Sequence, residues 1–204
     1  MKTIIPEFMK KSLKDLPYVI LDLETTGFSP EEAGITEVAI ISLINGNEEL
    51  FETLINPERP IPAEITKITG ITDAMVYDKP KISELAPILD GMLDGAIFVS
   101  HNVPFDWAFL DFYFRKHLKK PLRMPSLCTL RLARKYLGLR SNKLSSVADY
   151  FRIDLQNAHR AMNDTRAVRD ILFGFIDLLD KHGIKTGEDL YKHSLVFPEY
   201  PPTR

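Results

Sequence analysis

Cysteine is almost missing from this 204-residue sequence, and the lone Cys128 excludes both an internal disulfide framework and a cysteine-built metal cluster. Its plain reading is a small buried apolar side chain. Long apolar runs are missing as well: none approaches the roughly eighteen residues of a membrane-spanning helix. The start, Met1-Lys2-Thr3-Ile4-Ile5-Pro6-Glu7-Phe8, lacks the apolar stretch of a secretory leader. These absences together predict a cytoplasmic protein with no membrane partner. Internal repeats and low-complexity segments are also missing. What remains, 45% hydrophobic and 26% charged, is the composition of a globular chain, and 204 residues suit one sizeable core better than two.

A net charge of −2 hides an uneven distribution. Between Arg115 and Lys143 stand ten lysines and arginines (115, 116, 119, 120, 123, 131, 134, 135, 140 and 143) with no Asp or Glu, so the rest of the chain carries −12. A one-sign segment of this kind could attract a polyanion, but for a charge run taken alone a solvated helical surface is the favoured reading.

The order of elements follows from periodicity and punctuation. Residues 18–23 read as a strand, and Ile35–Ile44 and Leu50–Ile55 flank Asn45-Gly46-Asn47, predicting an antiparallel meander. Helices are expected at Ala63–Ile68 and Ile82–Leu93, a short strand at 96–100, and a helix opening near Pro104. A strand near Ser126–Cys128 and helices at Leu130–Leu137, Leu144–Phe151 and from about Ala161 to Leu179 complete the pattern. Such a sequence of elements makes an α/β layered domain with a mixed sheet. We expect it to occupy 17–182, between an N-terminal extension at 1–16 and a C-terminal extension at 183–204.

The candidate chemistry begins in the first strand. Asp22 and Glu24 lie two residues apart in Tyr18-Val19-Ile20-Leu21-Asp22-Leu23-Glu24-Thr25-Thr26-Gly27, so both project from one strand face. Two like charges there are costly unless compensated, and a hard divalent cation is the natural compensator. A second segment, Ser100-His101-Asn102-Val103-Pro104-Phe105-Asp106, carries Asp106 where a strand gives way to a helix. By itself Asp106 is a helix-dipole partner. A third, Asn157-Ala158-His159-Arg160-Ala161-Met162-Asn163-Asp164, sets His159 and Asp164 five residues apart. That spacing puts them roughly 140° apart on one helix, so His159 is expected to reach the site from the preceding loop. As an isolated pair they read as a loop histidine and a first-turn acid. Taken together, Asp22, Glu24, Asp106 and Asp164 offer oxygen ligands for two divalent metals, and His159 supplies the side-chain type best suited to proton transfer near neutral pH, a combination suited to attack on a phosphodiester.

In these three ordered motifs the chain resembles the DnaQ-like, or DEDDh, 3′→5′ exonucleases, over roughly residues 17–180. The resemblance implies a ribonuclease H-like fold with a five-stranded mixed sheet flanked by helices. It implies Mg²⁺ or Mn²⁺ as a pair of cofactors, with Asp22, Glu24 and Asp164 as direct ligands and Asp106 acting through the second ion or its waters. It also implies His159 as general base, and Thr25, Ile68, Thr69 and Phe105, with His159, around the 3′-terminal nucleotide. Many members carry His where Thr69 stands, and others carry Thr. The expected partner is a single-stranded 3′ end of nucleic acid, DNA before RNA, with a polymerase as a further partner that the family admits. Trimming of RNA 3′ ends and a non-catalytic, polymerase-associated scaffold are the alternative functions. No glutamine-led hydrophobic clamp-docking peptide is visible, so a freestanding repair or end-processing enzyme fits as well as a proofreading subunit.

Overall fold

A computed structural model of the chain describes residues 5–155 and 160–197. Its centre is a mixed sheet ordered β3-β2-β1-β4-β5-β6. Strand β1 is Tyr18–Thr25, β2 Ile35–Ile44, β3 Asn47–Leu54, β4 Ile97–Ser100, β5 Ser126–Cys128 and β6 Val196–Phe197. The first three form an antiparallel meander, β4 and β5 run parallel to β1, and the two-residue β6 closes the edge antiparallel to β5. The expected five strands are present, and β6 adds a short sixth from the C-terminal segment.

Asn45 and Gly46 take φ of 53° and 81°, the left-handed pair that a two-residue hairpin turn demands. So tight a turn starts the return strand at once, which is why β3 begins at Asn47 rather than Leu50. β2 is buried on both faces through Ser42, with the apolar run from Val38 to Ile41 at its centre. At the sheet edge, β3 is largely exposed and bristles with Glu48, Glu49 and Glu52, charges that discourage further strand pairing.

The period of two along β1 divides the core. Val19, Leu21 and Leu23 pack with Val38, Ile40, Phe98 and Trp107 beneath helices α3 (Ile82–Leu93) and α4 (Val103–Leu118). On the opposite face Tyr18 and Ile20 pack with Ala39, Ile41, Val168, Ile171 and Phe175, the last three from the long α7 (Ala161–Lys181). Helices α5 (Thr129–Tyr136) and α6 (Leu144–Phe151) complete that layer, and α1 (Ala63–Thr69) and α2 (Asp73–Val76) form a satellite around Ile61, Ile71 and Val76. Among the described residues no helix is long and apolar enough to cross a membrane.

Both flanking segments join the α7-side core. Met9 and Leu13, on two short 3₁₀ turns, and Leu16, just after the second, are buried with Ile184, Leu190, Leu195 and Val196. The Leu13 amide donates to the Lys185 carbonyl at 2.9 Å. Helix α8 (Gly187–Lys192) opens with a reciprocal cap, in which Thr186 Oγ1 accepts from the Asp189 amide while the Asp189 carboxylate accepts from the Thr186 amide.

Candidate active site

The face of β1 that supplies Tyr18 and Ile20 to the α7-side core continues, two residues at a time, into Asp22 and Glu24. At its C-terminal end the apolar stripe thus becomes acidic. Asp164, in the first turn of α7, comes down on the same spot, and one carboxylate oxygen from each of Asp22, Glu24 and Asp164 lies within 4.8 Å of the other two. Asp164 is buried and the other two are half-buried.

Asp106 approaches from the α4 side. Pairing between β1 and β4 stops at Ile20–Val99, and α4 starts just beyond, with Pro104 in its first turn. Burial raises the Asp106 carboxyl to about 7, offset in part by the nearby Ser100 hydroxyl and the backbone amides of Asp106 and Leu23. Its charge is felt by Asp22, whose carboxyl is driven well above the carboxylate range by burial first and then by Asp106, Glu24, Asp164 and Glu37. Glu24 rises to about 8 through burial, Asp164, Glu37 and Asp106, against a lowering by Arg160. Left to themselves these acids hold protons near neutrality. The donor set fits a hard divalent cation: clustered carboxylate oxygens, no sulfur or described imidazole among them, and an excess of negative charge in a partly desolvated place.

Helix α7 owes its start to a residue outside the motifs. Glu37 of β2 stands beside Glu24 in the strand register and is 1% exposed. Its carboxylate accepts from the Ala161 amide at 2.9 Å and from Arg160 Nη2 at 2.9 Å, so it caps the helix that delivers Asp164. His159 lies outside the described residues; α7 begins two positions after it, behind an extended Arg160.

The four residues expected around a nucleotide are less uniform. Phe105 is half-buried beside Asp106 and tilts against Phe109 with ring centroids 5.1 Å apart. Ile68 is exposed. Thr69 is buried, with its hydroxyl donating to the Ile65 carbonyl and accepting from the Ile71 amide, which shapes the end of α1. Thr25 closes the strand end by donating to the Gly27 carbonyl at 2.6 Å. His101 also proves structurally engaged: Nε2 donates to the Asn142 carbonyl at 2.9 Å and Nδ1 meets Thr129 Oγ1 at 3.0 Å, tying β4 to α5 and the loop before α6. Burial lowers its pKa, favouring the neutral ring.

The fold divides the basic segment in two. Arg115 pairs with Asp111, Lys120 pairs with Asp90, and Lys119 donates to the Lys116 carbonyl, all at or beyond the C-terminal end of α4 and away from the acids. Arg131, Arg134 and Lys135 instead ride on α5, which leaves β5 at the sheet end where the carboxylates gather, and with His193, Ser194 and Leu195 they border a cavity of 440 Å³.

Comparison with known proteins agrees with the fold. The RNase_T family model, described as Exonuclease, matches residues 19–172. The chain is 36% identical over 181 residues to the DNA polymerase III subunit epsilon of Aquifex aeolicus, covering 88% of each protein. It is 34% identical over 179 residues to the DNA polymerase III PolC-type of Thermotoga maritima, covering 87% of this chain but 13% of that much longer protein. Among solved structures, Exonuclease X in complex with 5′ overhanging duplex DNA superposes with a TM-score of 0.64 at 27% identity, covering 81% of this chain and 93% of that one. Exonuclease I, at 19% identity and a TM-score of 0.68 over 82% of this chain and 44% of that one, shares the fold.

Proposed function

The chain belongs to the RNase_T exonuclease family, and on that premise we propose that it is a metal-dependent 3′→5′ exonuclease. It removes nucleoside 5′-monophosphates from DNA 3′ ends, single-stranded or mismatched ends being preferred, in proofreading, repair or end processing. The observation that carries this reading is the convergence of Asp22, Glu24 and Asp164 within 4.8 Å, with Asp106 electrostatically joined to them.

In this reading Asp22, Glu24 and Asp164 hold two divalent cations, Mg²⁺ or Mn²⁺, with Asp106 contributing to the second. When bound, the cations supply positive charge against the scissile phosphate and the departing 3′ oxygen. His159 in its neutral form takes the proton of the attacking water. Thr25, Ile68, Thr69 and Phe105 line the place of the terminal nucleotide, which half-buried Phe105 and exposed Ile68 present to solvent as apolar surface. The strand behind the cleaved end runs toward the cationic face of α5.

Association with a polymerase, in the cytoplasm, belongs to the same reading, because the Aquifex relative is by name a polymerase subunit and this chain covers 88% of it. Digestion of labelled single-stranded, duplex and 3′-mismatched DNA and of matched RNA, with Mg²⁺ and with chelator, tests the whole. Mononucleotides released from DNA only in the presence of the metal are the expected result. Faster cleavage of RNA would move the substrate class, and no release from any substrate would overturn the enzyme assignment.

A further inference from the structure

We infer that Glu37 is a positioning residue for this site: from β2 it locks the first turn of α7, and with it Asp164, against the acids of β1. The inference rests on the function proposed above and adds a residue that neither the motifs nor the metal set contains.

The contacts are specific. Glu37 Oε2 accepts from the Ala161 amide at 2.9 Å and from Arg160 Nε at 3.4 Å, and Oε1 accepts from Arg160 Nη2 at 2.9 Å. Arg160 directly follows His159 in the chain, and the Asp164 amide donates to the Arg160 carbonyl at 3.1 Å. One carboxylate therefore grips Arg160, the residue just before α7, and Ala161, the first residue of the turn carrying Asp164. The grip is local to the site, since Glu37 and Glu24 are register partners on adjacent strands.

A helix start needs only a neutral oxygen from its own preceding residue to satisfy one free amide. Here the Arg160 side chain makes no such cap, and the acceptor comes from 124 residues earlier in the chain, on the strand beside the metal acids. Placing a further buried carboxylate among Asp22, Glu24 and Asp164 is electrostatically adverse unless its partner is held in place. The bidentate guanidinium answers that cost and fixes the planar geometry of both groups. What the arrangement secures, beyond a cap, is the distance between α7 and β1 at the level where the carboxylates meet. Displacements of about 1 Å in such a constellation cost on the order of 10²-fold in turnover.

The test compares Glu37→Ala and Glu37→Gln with the parent by three measurements: Mn²⁺ affinity from a binding titration, kcat and KM on a single-stranded oligonucleotide well below the melting temperature, and thermal unfolding. We expect Glu37→Ala to weaken Mn²⁺ binding and to lower kcat about 10²-fold with KM little changed. Glu37→Gln, which keeps an acceptor but not the charge, should recover part of both. Should Glu37→Ala fail to fold, Glu37→Gln carries the same readouts. Variants that unfold earlier but bind Mn²⁺ and turn over as the parent does would overturn the inference and leave Glu37 a stability residue. A parent protein inactive on every nucleic acid would sink the proposed function, whereas the Mn²⁺ titration would still decide the role of Glu37.

Discussion

Glu24 and Glu37 are register partners on neighbouring strands, yet only Glu37 has a guanidinium in its grasp, 2.9 Å away, while Glu24 is pushed up to about 8 by burial and by the acids around it. The same functional group, one strand apart, is thus satisfied in one place and left wanting a cation in the other. That contrast separates the part of the acidic cluster that builds the site from the part that binds to something.

One consequence is a pH-dependent stability in the absence of metal. Glu24 at about 8 and Asp106 at about 7 lie above their ordinary 4.5 and 3.8, so the folded state binds these protons more tightly than the unfolded state does. The stability they contribute is complete below about pH 4 and is lost as pH rises through 7 to 8. In chelator, the melting temperature should fall between pH 6 and 8.5, a window where ordinary carboxylates no longer titrate. Mg²⁺ or Mn²⁺ should restore it, more at the higher pH. For a chain of this size each kcal/mol corresponds to about 2–4 °C. Glu24→Gln should flatten the slope and weaken the response to metal. A melting temperature independent of pH in chelator would contradict the electrostatic picture of the site.

His159 and Asp22 are expected to fail differently. Loss of a general base typically lowers the rate about 10²–10⁴-fold, so His159→Ala should keep measurable turnover, whereas Asp22→Ala should retain almost none. Single-turnover rates on a labelled oligonucleotide make the comparison. In the parent, kcat should decline as pH drops below the ordinary histidine range near 6.5, because a protonated imidazole accepts no proton. An equal loss in the two variants, or a flat profile through that range, would remove His159 from the proton-transfer role.

The divided basic segment predicts an asymmetry that the sequence does not. Charge reversal at Arg131 and Arg134, on the helix leaving β5 at the acidic end, should weaken oligonucleotide binding. It should also flatten the salt dependence, by about 0.7 in logarithmic slope for each phosphate no longer neutralised. Reversal at Arg115, already paired with Asp111 at 2.7 Å, should leave the slope as it was. Equal effects from both ends would mean that the segment acts as a diffuse field rather than as a local binding surface.

Most of the fold was readable because its signals are local. Asn45-Gly46 specifies a tight hairpin, the alternation along 18–24 specifies which side chains share a face, and the apolar spacing after Ala161 specifies α7. The acids were readable for a related reason: a carboxylate inside an apolar strand calls for an explanation. The same reasoning applied to Ile35-Thr36-Glu37-Val38-Ala39-Ile40-Ile41 would have exposed Glu37, but its partners Arg160 and Ala161 are more than a hundred residues away and nothing local names them. The grouping of ten cations is less legible for the converse reason, since neighbours in sequence are carried to opposite ends of the sheet by α4 and α5. In the C-terminal segment a capping box was present at Thr186-Gly187-Glu188-Asp189, but β6 has only two residues and depends on the exposed edge of β5, a tertiary condition no short pattern announces.

That segment gives the last prediction, through Gly187. A methyl group built on Gly187 would lie 2.6 Å from the Met9 carbonyl oxygen and 2.9 Å from the Met9 Cα, both backbone atoms that cannot swing aside. Gly187→Ala therefore forces α8 away from the N-terminal 3₁₀ turn and loosens the corner where Met9, Leu13, Ile184 and Leu190 are buried together. Overpacking of this kind costs about 1–3 kcal/mol, which corresponds to a drop of several degrees in melting temperature. The acids sit at the other end of β1 from Tyr18, so Mn²⁺ affinity and kcat measured below the transition should stay at parental values. A stability loss without a functional one would establish that the two flanking segments are structural parts of the domain. An unchanged melting temperature would mean that the corner yields without cost and that these segments are only loosely held.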